Sequence, residues 1–452
     1  MWTKFKIKLL FIIASGVSTL PAYSQKTLGD YIQQGLSANQ GLKQQQFQLD
    51  KSLLALREAR SYFLPQVSLL GNYTKSAGGR TIDFPTGDLL NGVYSSLNKL
   101  TGEPRFPQLE NQSIQLNPDN FYDAKFRTSL QLINAEIWYN RQIRRELITQ
   151  QEAAVKVYQR ELVKDIKTAY YHYLQSIQAV HIYEEALLVV NENIRVNESL
   201  VRNGVRNTTA LTRSRAEQER IHAQMTEAEN NQTNARSYFN FLLNQPLETD
   251  IDADTALLAT LPGEIDNMTI TSSREELLQL RQLQKVNGLN VRMQQSYLIP
   301  KLNTFLDLGS QGFDWQFDNK SRYYLWGVNL QWDLFAGGLH KSRIQQARTD
   351  VSSLQAQLDQ TEKTFQLQAS QAMNNYKTAV GSYRNARSQQ AFSEKYYNDQ
   401  LRVYKEGQLL YIELLDAQNQ LTSARLQASV TAAQVHMAAT ELERVTAAYP
   451  IQ

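Results

Sequence analysis

The 452-residue chain has no cysteine. That excludes a disulfide framework and a thiolate metal site, and it removes the acceptor for an N-terminal lipid anchor. Outside the N-terminus no apolar run approaches the ~20 residues that a membrane-spanning helix needs, which excludes an inner-membrane helical bundle. Charge of one sign is also scarce, with 47 Lys and Arg against 44 Asp and Glu. Three of the bases, Lys4, Lys6 and Lys8, precede an apolar stretch from Leu9 to Leu20 and a small-residue site at Ala22-Tyr23-Ser24. Residues 1–24 read as a secretory signal peptide, with an uncleaved anchor as the other reading. What is exported is electrically balanced, with nothing to attract nucleic acid. A chain like this must be held in a membrane, if at all, by its own fold.

Proline and glycine are missing where they would interrupt helices. From Ile344 to Tyr404 there is no proline, and Gly381 is the lone glycine before Gly407. Ile344, Val351, Leu358, Phe365, Ala372, Ala379 and Ala386 recur at every seventh position. A second row runs through Ala347, Leu354 and Thr361, shifts by one, and continues at Ala369, Tyr376 and Tyr383. Two such rows predict a coiled-coil rod, roughly 90 Å long at ~1.5 Å per residue. About Tyr139 to Asn203 reads the same way, with Ile166, Tyr173, Val180, Leu187, Ile194 and Val201 in heptad steps. Gly204 and Gly407 close the two rods, and a return helix follows each. The first return helix carries Ile221, Met225, Ala228, Ala235, Phe239 and Leu242; the second carries Leu421, Ala424, Ala428, Thr431, Val435, Ala438, Leu442 and Val445.

Ahead of each rod stand a helix and two alternating segments. A helix over about 27–60 ends at Ser61-Tyr62-Phe63-Leu64-Pro65, and a helix over 274–295 ends at the matching Ser296-Tyr297-Leu298-Ile299-Pro300. Strands are predicted at about 65–74, 124–134, 300–309 and 322–335. Val67, Leu69, Gly71 and Tyr73 share one face of the first; Tyr324, Trp326, Val328, Leu330, Trp332 and Leu334 share one face of the last. Residues 75–122 follow neither period and read as a long loop. The chain is thus one unit used twice: 25–246, a connector at 247–271, and 272–452.

Strands of this length cross a bilayer when tilted, and lipid tolerates no open strand edges. Four strands cannot close a barrel when about eight is the minimum, so copies must join. The other reading is a secreted or periplasmic coiled-coil scaffold or adhesin whose strands form an ordinary soluble sheet. Catalytic chemistry finds no support: there is no phosphate loop, nucleophile elbow or paired-carboxylate motif in a supporting context. The five histidines, at 172, 181, 222, 340 and 436, form no ligand set. No enzyme, metal or cofactor is expected. Arg141, Arg144 and Arg145 read as the polar start of a rod, or as contacts for anionic headgroups.

Three stretches carry a resemblance to a known family. They are Leu56-Arg57-Glu58-Ala59-Arg60 leading to Phe63-Leu64-Pro65-Gln66-Val67-Ser68-Leu69, then Leu330-Gln331-Trp332-Asp333-Leu334-Phe335-Ala336-Gly337-Gly338, and Tyr404 to Arg425 with Glu413-Leu414-Leu415-Asp416-Ala417-Gln418. With nearly all of the mature chain, they resemble TolC-type outer-membrane efflux proteins, the outer membrane factor family. The resemblance implies a mainly α protein with transmembrane β: a homotrimeric 12-stranded outer-membrane β-barrel continued by a periplasmic 12-helix coiled-coil α-barrel. It implies the Gram-negative outer membrane as the location. It implies a passive exit duct for efflux or type I secretion, joined by a periplasmic adaptor (a membrane fusion protein) to an inner-membrane pump of RND or ABC type. Residues 75–122 would then be extracellular and 247–271 equatorial.

In that picture Gly204 and Gly407 are the periplasmic tip turns. Val403-Tyr404-Lys405-Glu406-Gly407 resembles the family's tip motif, which makes Tyr404 a gate-tie candidate. Glu413 and Asp416, three apart on one helical face, could line the entrance with negative charge, or could be a plain solvated face. In the first repeat the position matching Glu413 is Ala210, beside Thr209, with Arg206 and Arg213 near it. This departs from the acid that relatives carry there, so a lock between Arg206 or Arg213 and Glu413 is a hypothesis alone. Tyr73, Tyr324, Trp326 and Trp332 are candidates for a lipid-facing belt.

Overall fold

The computed structural model describes residues 26–263 and 274–450. The signal-peptide reading of 1–24 and the connector's end at 264–271 lie outside the described residues. The elements run α1 (Leu28–Ala38), α2 (Gln40–Ser61), β1 (Gln66–Thr74), β2 (Thr81–Phe84), α3 (Thr86–Thr101), β3 (Gln112–Gln115), β4 (Phe121–Ile133), α4 (Ala135–Arg202) and α5 (Thr208–Leu242). They continue with α6 (Glu275–Gln295), β5 (Lys301–Phe313), β6 (Arg322–Gln331), α7 (Leu339–Lys405) and α8 (Tyr411–Val445). The order helix, strand, strand, long helix, return helix occurs twice, with α3 and the β2–β3 pair inserted between the two strands of the first half. Two compact units result: a helical one from the described residues of Met1–Gln45, Val155–Arg274 and Glu362–Gln452, and a sheet-bearing one from Gln46–Ala154 and Glu275–Thr361.

In the sheet-bearing unit four antiparallel strands lie in the order β1-β4-β5-β6. Direct pairing sets Leu69, Phe126, Leu308 and Tyr324 in one row across the sheet, and Val67, Thr128, Leu306 and Trp326 in the next. These rows belong to one face, because side chains alternate along each strand. Most of their apolar side chains are exposed, Trp326 at 65% and Tyr324 at 77%. The other face is polar and internally paired. Arg127 donates to both oxygens of its cross-strand partner Asp307, at 2.7 Å each. Lys125 donates to Asp123 at 2.6 Å, and the Tyr323 hydroxyl reaches the second oxygen of Asp123 at 2.7 Å. Gly327 faces Phe305 across the ladder, where a Cβ would stand 2.7 Å from the ring. The absent side chain makes room for that aromatic, on which Arg127 stacks at 5.1 Å.

Four expectations are corrected in this unit. Residues 75–122 are not a structureless loop, for they hold α3 and the β2–β3 hairpin. Gly87, Gly92 and several Ser and Asn residues hide the helix, since each is a poor helix former. The last strand stops at Gln331, so Trp332 and Leu334 lie beyond it; Gly337 and Gly338, at φ +55° and +84°, then turn the chain toward α7. The third strand runs on to Phe313, and the second starts at Phe121.

In the helical unit the core gathers around Tyr31, Tyr170 and Phe239, whose ring centroids lie 5.2 to 6.0 Å apart. Tyr31 and Tyr170 also hold the connector, their hydroxyls accepting from the backbone N–H of Asp252 (2.8 Å) and Asp254 (3.1 Å). The helix expected at 27–60 is broken at Asn39. Its backbone is extended, its Nδ2 donates to Leu242 O at 3.0 Å, and its Oδ1 accepts from Leu42 N at 3.1 Å. Of the α7 rows, Phe365, Ala372, Ala386, Ala369 and Tyr376 are buried in this unit and Ala347, Leu354 and Leu358 in the sheet-bearing one, while Ile344, Val351, Thr361, Ala379 and Tyr383 are half-buried. In α4 the expected row is buried at Ile166 and Tyr173, but from Val180 onward it is half-exposed. The buried row there is Ile182, Ala186, Val190, Asn193 and Asn197. A straight helix drifts by ~20° per heptad against a seven-residue repeat, which moves the seam to neighbouring positions.

Candidate functional site at the hairpin tips

Both hairpins of the helical unit reverse by the same device. Gly204 (φ +70°) and Gly407 (φ +81°) occupy the left-handed region that non-glycine residues avoid. In each turn the following N–H reaches back five residues: Val205 N donates to Leu200 O at 2.9 Å, and Gln408 N to Val403 O at 3.3 Å. These bonds satisfy carbonyls that the helix ends leave open. Asn207 then caps α5, its Oδ1 accepting from Thr209 N at 3.2 Å. Glu413 performs that service for α8, accepting from Leu410 N at 3.2 Å.

Behind the turns sits an apolar cluster of Tyr397, Tyr404, Tyr411, Leu414, Ala417 and Leu421. The three tyrosines are heptad-spaced on the α7–α8 side. A buried chain of neutral hydrogen bonds starts at Tyr404. The Tyr404 hydroxyl donates to Asn197 Oδ1, Asn197 Nδ2 donates to Ser214 Oγ at 2.6 Å, and Ser214 Oγ donates to Ala210 O at 2.9 Å. One helical turn away, Asn193 Nδ2 donates to Gln418 Oε1 at 2.9 Å. Together these link α7 to α4, α4 to α5, and α4 to α8. Burial pushes the Tyr404 phenol above its ordinary pKa and that of Tyr411 up to about 12. Tyr404 thus keeps its proton, and its role as donor, throughout the neutral range.

The residues singled out in the sequence fall into three groups. Tyr404 and Arg206 are brought together, the guanidinium lying 4.9 Å over the ring while its Nη2 donates to Leu409 O at 2.6 Å, which fastens one turn to the other. Glu413 and Asp416 are both exposed, and Asp416 accepts from Gln420 Nε2 at 2.7 Å. Arg213 is exposed, and among the described residues no ion pair joins Glu413 to Arg206 or Arg213. Sequence reasoning missed Asn193, Asn197, Ser214 and Gln418. The available signal was the spacing of Ala186, Val190, Asn193 and Asn197, a buried row finished with amides.

Further ties cross the hairpins. Arg425 on α8 meets Glu185 of α4 at 2.7 Å and Glu394 of α7 at 3.4 Å, and Arg220 of α5 donates to Asn419 at 2.7 Å. Between α4 and α7 an apolar cavity of about 360 Å³ is lined by Leu188, Val196, Leu401 and Tyr404 among others. Among the described residues there is no cluster of His, Asp and Glu able to hold a metal, and no helix is long and apolar enough to cross a membrane.

The fold is that of known outer-membrane channels. The chain superposes with a TM-score of 0.73 on the CmeC channel of Campylobacter jejuni (14% identical, covering 98% of this chain and 93% of that one). On the outer membrane protein VceC of Vibrio cholerae the score is 0.72 (14% identical, 93% and 95% covered). Residues 31–245 and 269–448 match the outer membrane efflux protein family, and the chain belongs to that family. It is 23% identical over 438 residues to the outer membrane protein TolC of Salmonella enteritidis, covering 93% of this chain and 81% of that protein. The chain is therefore an outer-membrane transport component of the TolC type.

Proposed function

We propose that this protein is the exit channel of a tripartite efflux or type I secretion system. Three copies join β6 to β1 around a ring, closing a twelve-stranded barrel in the outer membrane, and their helical hairpins form a periplasmic tunnel. An inner-membrane pump of RND or ABC type loads it through a periplasmic adaptor that engages the tips at Gly204 and Gly407. The observation that carries this reading is the sheet. Its apolar face stands exposed, its charged face is paired within itself, and among the described residues β1 and β6 are open edges. Lipid tolerates such edges only if a neighbouring strand satisfies them. Tyr73, Tyr324 and Trp326 then face lipid, and Trp332 lies at the rim. At the tips the Tyr404–Asn197–Ser214 chain ties the resting hairpins, while Glu413 and Asp416 give the entrance its negative charge. Passage is passive.

The test is fractionation and assembly. A heat-modifiable trimer from the outer membrane is expected, together with drug hypersensitivity or loss of a secreted protein on deletion of the gene. Recovery as a water-soluble monomer would reject the barrel. Neutralising Glu413 and Asp416 together is expected to lower the channel's preference for cations in planar bilayers.

A further inference from the structure

The segment between β1 and β4 is built to present one face of α3. Asn91 and Asn98, a heptad apart, each bond a single residue of the returning chain twice. Asn91 Nδ2 donates to Leu109 O at 2.9 Å and its Oδ1 accepts from Leu109 N at 2.8 Å. Asn98 does the same with Phe106, at 2.8 and 3.0 Å. Asn111 Oδ1 takes the N–H groups of Gly87 and Asp88 in the first turn, at 2.9 and 3.2 Å. Gly87 is pressed so close that a Cβ would stand 2.4 Å from Leu109 O. This face is used up within the subunit.

The opposite face carries Leu89, Val93, Ser96 and Leu100, spaced four, three and four. That is the spacing of a coiled-coil seam. Leu89, Val93 and Leu100 are exposed at 70%, 53% and 82%. No charge lies on the seam; Asp88 and Lys99 are the charged residues of α3 and both fall beside it. A row of this kind complements itself. Anionic headgroups are a poor match, because residues 75–120 carry Lys75, Arg80, Lys99 and Arg105 against Asp83, Asp88, Glu103, Glu110 and Asp119. The segment also springs directly from β1, the edge at which a second copy pairs in the reading above.

We propose that α3 packs seam to seam with α3 of the other copies, forming a homotypic helical cluster across the outer mouth of the pore. The proposal rests on the oligomeric barrel. Two heptads are too short to associate unaided, but anchoring on one barrel supplies an effective concentration on the order of millimolar.

Because the chain has no cysteine, single substitutions report cleanly. Val93→Cys, Leu100→Cys and a control off the seam, Ser95→Cys, are made in the full chain and oxidised in outer membranes. Disulfide-linked dimers are expected from the first two and not from the control. A native gel reads the trimer separately. An intact trimer whose Val93→Cys and Leu100→Cys subunits stay monomeric on denaturing gels overturns the cluster and leaves the barrel standing. A fluorophore at Leu100→Cys quenched by a lipid-borne quencher assigns the face to the outer leaflet and equally overturns it. Absence of the trimer in the unsubstituted chain overturns both.

Discussion

The hydroxyl of Tyr404, in the last turn of α7, is hydrogen-bonded to Asn197 on α4, and the two side chains are only 1% and 0% exposed. The bond joins neutral groups shielded from solvent. An ion pair on the exposed surface would instead weaken with salt.

Removing that tie is therefore expected to loosen the tips. Tyr404→Phe leaves the Asn197 oxygen buried without its donor, a loss of about 1–3 kcal/mol. Conductance in planar bilayers should rise for Tyr404→Phe and Asn197→Ala alike, and stay at the parental level for the exposed Arg213→Ala. If the first two also conduct like the parent, the tie has no part in closure.

At the turns themselves the constraint is conformational. Nothing lies within 4 Å of a Cβ built on Gly204 or Gly407, so only the positive φ resists substitution. Gly204→Val and Gly407→Val should each lose about 1–2 kcal/mol, and Gly→Asn less. Thermal unfolding of the purified protein checks the order; equal losses for Val and Asn would point to a packing cause.

Gly327 presents the opposite case, where space and not φ is limiting. Gly327→Ala should lower the heat-dissociation temperature by crowding Phe305, an overpacking cost of about 1–3 kcal/mol. Phe305→Ala should rescue part of it. A double-mutant cycle measures the coupling, and additive effects would contradict the close approach.

His436 is buried in α8 with its ring stacked on Tyr171 at 4.7 Å. Burial lowers its pKa from 6.5, offset in part by the backbone of Leu257 and Thr260. The unfolded chain thus binds the proton more readily than the folded one. The contribution to stability is full above about pH 6.5 and is lost as pH falls from there through the folded value. Relative to the parent, His436→Gln should flatten the fall in melting temperature over that window. Parallel curves would show that another group governs it.

Much of the fold could be read from the amino acids because its pattern is long-ranged and repeated. The rows of α7, the paired proline and glycine landmarks, and the alternation from Tyr324 to Leu330 are all periodic signals. What escaped is held by polar side chains in local arrangements. Asn39 breaks a helix by bonding across to Leu242; Asn91, Asn98 and Asn111 stabilise a helix that its own composition disfavours. At the tips the sequence pointed to Tyr404 and the acids, yet the Tyr404 hydroxyl bonds an amide, Asn197, which in turn bonds the Ser214 hydroxyl, inside a seam reserved by expectation for apolar residues. Periodicity sorts greasy from polar and is blind to polar groups that pair in the interior.

The unpaired margins of β1 and β6 carry a genetic consequence. In the proposed ring, a subunit whose margin is damaged still offers its other margin to healthy copies, and one such member leaves the whole ring unsealed. Alleles that spoil a single margin should therefore be dominant, silencing wild-type product made in the same cell. Alleles that stop the subunit from being made should be recessive.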